Sequence, residues 1–296
     1  MEDQKVNPRK NSLMWWIIGG AVLVVLIVVV LIFALAGRQE AQAPTYGNNS
    51  ENSEASNTTS ANTSATPAQS DGTVSWQWGG TVWQASGTPP ACADPLPLVS
   101  PVDLTKVNAI LYPGQTRGGN YKPHGGFLFK GTDNAMDVRA PMDATLVNGS
   151  RYIEQGEVQY LLFFVNSCGI AYRFDHLLTL SPAMQKLADT LPAAKVDDSR
   201  TSNFSEVVTV KQGDLIATAV GFKKNSNVSL DLGVYDLRAP NAASKDATFA
   251  SVHSNFKEQT FYGTCWLNLL PTAQSSVVKA LPGGDQSAGK TSDYCK

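Results

Sequence analysis

His124, Asp137, His176 and Asp231 have side chains that can ligate a divalent metal or move a proton, and each stands in a distinctive segment. His124 follows Tyr121-Lys122-Pro123 and precedes Gly125-Gly126-Phe127. Asp137 lies in Met136-Asp137-Val138-Arg139-Ala140-Pro141. His176 closes the strand-like run Ala171-Tyr172-Arg173-Phe174-Asp175-His176, and Asp231 ends Ser229-Leu230-Asp231. Imidazole nitrogens and carboxylate oxygens together can hold a hydrolytic metal and activate its water. Singly, the same residues have plainer uses. His124 reads as a loop residue, Asp137 as a turn or sheet-edge acid, and His176 as a hydrogen-bonded strand end. Asp231 reads as the solvent-facing member of an alternating strand. The third histidine of the chain, His253, lies outside the pattern and reads as a surface residue.

In this order the segments resemble the metal-site segments of the M23 (lysostaphin- or LytM-type) zinc endopeptidases, which cut peptide bridges in bacterial cell walls. The resemblance runs over about residues 118–237. It implies an all-β, antiparallel sandwich or groove domain. It makes His124, Asp137 and Asp231 the metal set and His176 the catalytic histidine beside the reacting centre. Two departures stand out. The family's H-x-x-x-D spacing is stretched here from His124 to Asp137, so Gly125–Met136 is expected as an inserted loop. The family's late H-x-H strand reads Ser229-Leu230-Asp231. One imidazole with two carboxylates is a harder and less zinc-selective donor set than two imidazoles with one carboxylate. No imidazole remains on the last strand to poise a water.

Two functions are therefore carried forward. One is a catalytically inactive M23-like domain that binds a cell-envelope polymer or an envelope partner protein, with no cofactor expected. The other is an active zinc endopeptidase working on cell-wall peptides through an atypical His/Asp/Asp site. A second likeness, to biotinyl and lipoyl carrier domains around Ala135–Ala144, fails on chemistry, because Asp137 stands where those domains need a lysine.

Strands must position these residues. Val74–Trp78 and Thr81–Trp83 alternate around Gly79-Gly80 and predict a hairpin whose tryptophans pack on the domain or form a glycan platform. Further strands are expected at Ala144–Val147, Val158–Val165, Gly169–Phe174, Val207–Val210, Leu215-Ile216 and Val228–Leu237, with a helix after Leu178 as far as Leu191. Cys92, Cys168, Cys265 and Cys295 allow three pairings. Cys265 with Cys295 is the expected pair, which leaves Cys92 with Cys168.

Residues 13–37 carry no charge and are long enough to span a bilayer, with Lys5, Arg9 and Lys10 before them. A single-pass anchor is expected, with residues 1–12 cytoplasmic and the bulk of the chain outside the cell membrane. A cleaved signal peptide ending near Phe33-Ala34-Leu35-Ala36 is the rival. Residues 38–73, rich in Ser, Thr and Asn, predict a disordered tether. The β domain is expected over 74–273, followed by a C-terminal tail over 274–296 that reads as loose after Pro282 until Cys295. A net charge of −2 argues against a nucleic-acid partner.

Overall fold

The computed structural model describes residues 74–131 and 133–296. The segments predicted as cytoplasmic tail, membrane span and tether lie outside them. Among the described residues no helix is long and apolar enough to cross a membrane.

The domain is mostly antiparallel β-structure. A ribbon of β1 (Trp76–Trp78) and β2 (Trp83–Ala85) comes first, with Trp78 opposite Trp83. Next come β3 (Val107–Leu111) and a small ribbon of β4 (Gln115–Arg117) and β5 (Asn120–Lys122). Then follow β6 (Gly125–Phe129), β7 (Ala135–Arg139), β8 (Ala144–Glu154), β9 (Glu157–Val165) and β10 (Ile170–Leu180). After a short helix α1 (Pro182–Ala188) come β11 (Ser202–Val210), β12 (Leu215–Val220) and β13 (Ser229–Asp236). Helices α2 (Ala247–Val252), α3 (Lys257–Thr260) and α4 (Thr272–Ala280) follow.

The main sheet runs β11-β8-β9-β10-β13-β6-β3, with β12 attached to β10 and β7 to β12. β10 changes partner part-way. Ile170–Asp175 pairs with β13, whereas Leu177–Leu180 pairs with β12. His176 is the residue at the fork.

The two faces of the sheet are sorted by two-residue alternation. Leu162, Phe164, Tyr172, Phe174, Leu230 and Leu232 point into the main core, which Trp266, Leu267 and Val278 close from the C-terminal segment. Phe163, Val165, Ala171 and Tyr235 face the other way, under Trp83 and Tyr262. The tryptophan hairpin thus serves as packing, with the indole of Trp83 donating to the Glu258 carbonyl at 2.9 Å. On the same side, further along the strands, the sheet carries polar residues.

Three expectations are corrected. Gly125–Phe129 is no inserted loop but β6, an inner strand between β13 and β3. Its glycines permit this. A Cβ on Gly125 would meet the Leu111 carbonyl oxygen at 2.2 Å, and one on Gly126 the Leu230 carbonyl oxygen at 2.3 Å. The helix expected from Leu178 begins later, because β10 continues to Leu180. Pro182 then opens α1 behind Ser181, whose hydroxyl accepts from the Met184 amide. The segment after Pro282 is not loose. Gly284 N–H donates to the Ile110 carbonyl, Asp293 N–H donates to that of Gly114, and the ring of Tyr294 fills the space over Gly114 and Gly263. The disulfide Cys265–Cys295 fastens this segment, and Cys92–Cys168 ties the lead-in to the β9–β10 turn.

Candidate functional site

His124 stands immediately before β6 and shares a face with Gly126, two residues on. Arg117 fixes its backbone, donating from Nη2 to the His124 carbonyl at 3.1 Å and from Nη1 to the Tyr112 carbonyl at 2.7 Å. Asp231 lies opposite Gly126 on one side and Asp175 on the other. Because Gly126 has no side chain, the Asp231 carboxylate reaches the imidazole, and His124 Nε2 stands 2.9 Å from Asp231 Oδ2. Both residues are buried.

His176 has φ 60°, in the left-handed region that costs a non-glycine residue energy. The bulge at the fork of β10 holds it there. Its N–H donates to Asp175 Oδ1 at 2.9 Å, and its carbonyl accepts from Gly221 N–H at 2.8 Å. Bulges re-aim side chains. Here the imidazole is turned between two carboxylates, with Nε2 3.8 Å from Asp231 Oδ2 and Nδ1 3.8 Å from Glu154 Oε2. The ring of Phe222 lies 5.0 Å away.

A second buried network supports the first. The Tyr152 hydroxyl donates to Asp175 Oδ1 at 2.6 Å, and Arg173 Nη2 donates to Asp175 Oδ2 at 2.7 Å. Gly233, opposite Arg173, leaves room on β13 for the Tyr235 hydroxyl. Burial disfavours the charge on Arg173, but Asp175, with help from Tyr235 and Asp231, keeps the guanidinium protonated.

These charges set the state of the histidine. Burial, reinforced by Arg173 and opposed by Asp231, pushes the His124 imidazole down to about 4. His124 is therefore neutral at neutral pH. Its Nε2–H points at Asp231, and among the described residues its buried Nδ1 has no hydrogen-bond partner. Burial also works against the charge on Asp231, yet His124, His176 and Arg117 outweigh it and hold the carboxyl far below the usual range. Glu154 moves the other way, raised by burial and only partly offset by His176.

The structure thus brings together His124, His176 and Asp231, with Ser229 buried two residues from Asp231 on the same strand face. Asp137 does not join them. It lies on the exposed face of β7, paired with Arg139 at 2.9 Å, while Met136 and Val138 of the same strand enter the core. Four residues beyond His124, on the same face of β6, the chain has Leu128. A catalytic zinc needs three protein ligands and an open position. Among the described residues no His, Cys, Asp and Glu side chains form a group of three disposed to hold a metal. The imidazole Nε2 atoms of His124 and His176 both face Asp231 Oδ2, at 2.9 and 3.8 Å.

Sequence reasoning missed Glu154, Tyr152, Arg117 and the Arg173–Asp175 pair. A signal for the last was available, because two charges at alternate positions inside an apolar strand require partners. His253 is half-buried rather than free on the surface, its ring 3.8 Å from that of Tyr121 and 4.5 Å from that of Phe249. The chain matches no protein-family model, and no curated protein matches it.

Proposed function

We propose that this chain is a membrane-anchored, extracytoplasmic protein whose β domain is a degenerate M23-like scaffold. In this reading it binds a cell-envelope polymer or envelope partner and does not hydrolyse it. The observation that carries the loss of hydrolysis is that Asp137 pairs with Arg139 on an exposed face, which leaves His124 and Asp231, 2.9 Å apart, as two of the three ligands a catalytic zinc needs. Asp137 is turned away and position 128 is apolar, so the carboxylate that would complete the set is missing. Retention of a binding surface is supported by the side chains of Glu154 and His176, which keep part of their area open beside the buried pair. The charge asymmetry about residues 13–37 supports the external location.

The test is metal content and wall digestion by the full chain, with and without added zinc. No stoichiometric zinc and no released peptide are expected, while the protein co-sediments with isolated envelope polymer. The double substitution Ser229→His with Asp231→His should raise zinc affinity. Zinc-dependent cleavage by the unmodified chain, lost in His124→Ala, would replace this reading with the peptidase.

A further inference from the structure

The outer edge of β8 has a gap. β11 pairs with β8 as far as Ser202 opposite Gly149. Beyond it, Ile153 N–H donates to the Lys195 carbonyl and the Ile153 carbonyl accepts from Asp197 N–H, each at 2.8 Å. The main-chain groups of Ile153 therefore face outward from β9. Outward-facing groups recur every second residue of an antiparallel strand, so those of Arg151 face outward as well. Among the described residues no strand lies beside Arg151. The chain bows away between Leu191 and Thr201 and leaves a cavity of about 260 Å³ lined by Ser150, Arg151, Pro192, Lys195, Arg200 and Ser202, among others.

The charges at this gap are uneven. Arg151 holds the loop in place, donating from Nε to the Pro192 carbonyl and from Nη2 to the Leu191 carbonyl, each at 3.0 Å. Arg200 grips Asp198 through Nε and Nη2 at 2.7 and 2.6 Å. The Lys195 ammonium has no ion-pair or hydrogen-bond partner among the described residues. Three cations thus meet one carboxylate in a chain whose net charge is −2.

We propose that this gap binds the free carboxylate end of a short extended peptide. One residue of the peptide adds to the ladder at the Arg151 N–H and carbonyl, and its terminal carboxylate faces Lys195. Edge addition provides affinity without demanding a sequence, and a cation provides direction. The inference deepens the envelope-binding reading by naming the moiety held, the open end of a wall-type peptide.

The experiment uses the full chain in detergent and tetra-alanine labelled at its N-terminus, with a free carboxylate or a C-terminal amide, read by fluorescence anisotropy at low salt. The acid should bind about tenfold more tightly than the amide, the ratio expected for one charge-assisted contact. Lys195→Glu should weaken the acid by a similar factor and leave thermal unfolding unchanged, because the side chain is exposed. Amide exchange at Arg151 should slow when the acid is added. Equal binding of acid and amide, no effect of Lys195→Glu, or unchanged exchange at Arg151 would each overturn the assignment. Co-sedimentation with isolated envelope polymer separates the two ideas. Sedimentation without peptide binding overturns this inference alone, and peptide binding without sedimentation overturns the broader reading alone.

Discussion

Titration from about pH 8 to about pH 4 should remove on the order of 3 kcal/mol of stability through His124 alone. Nε2 already serves Asp231, so an added proton must sit on Nδ1, which is buried and has no acceptor among the described residues. The folded imidazole therefore protonates only near 4, against about 6.5 in the unfolded chain. The unfolded state binds the proton first. The contribution is complete above about pH 6.5 and declines as the pH falls toward 4, where the folded state is protonated as well. At pH 5 the loss is already about 2 kcal/mol by the same linkage. The assay is guanidinium unfolding, with disulfides intact, of the protein and of His124→Gln, which keeps a neutral donor toward Asp231. The difference between the two chains cancels the other titrating groups. Parallel loss of stability in both chains over this range would refute the account of Nδ1.

The remaining predictions concern packing and covalent ties. Gly126→Ala drives a methyl into the Leu230 carbonyl and should cost about 1–3 kcal/mol or more, read as a lower melting temperature; an unchanged melt would mean β6 and β13 are not closely apposed. Asp175→Asn deprives buried Arg173 of its anion and should cost about 3–5 kcal/mol by denaturant titration, well above the cost of Tyr152→Phe, which removes one hydroxyl. Non-reducing mass spectrometry should find no free thiol and a Cys265–Cys295 cross-linked peptide. Cys295→Ser should lose roughly 2–4 kcal/mol and speed amide exchange at Asp293 and Tyr294.

Alternation made β10 and β13 legible, because Ala171, Arg173 and Asp175, and Ser229, Asp231 and Gly233, alternate with large apolar residues, whereas β9 was legible as an apolar run buried on both faces. Both disulfides followed from one short-range pairing and the remainder. His124, His176 and Asp231 were visible as residue types in order. β6 was hidden because Gly125-Gly126 has the composition of a loop, and only the closeness of Leu111 and Leu230 explains the glycines. Asp137 was misplaced for the same reason, since a loop between it and His124 would have left it free to return. Glu154 was hidden because its partner His176 lies on another strand, and Arg117 because its partners are the main-chain carbonyls of Tyr112 and His124, which leave no mark in the sequence. The C-terminal segment looked loose because its anchors, Ile110, Gly114 and Gln115, lie far upstream.

The fork in β10 divides the sheet mechanically. β7 and β12 pair with each other, and among the described residues their ladder to the rest of the sheet runs along Leu177–Leu180, with Ser181 N–H donating to the Ile216 carbonyl just beyond it. Such a ribbon is a natural unit of sub-global opening, whose amides exchange together at a lower free energy than those of β9 or β13. The Gly221 N–H bond to the His176 carbonyl lies at the seam where that unit would part. When the ribbon opens, the constraint that keeps His176 left-handed is released and its imidazole is free to leave the two carboxylates. A ligand that needs His176 in place then slows exchange throughout β7 and β12, strands it never touches. Exchange in that ribbon is thus a remote gauge of whether the histidine cluster is engaged.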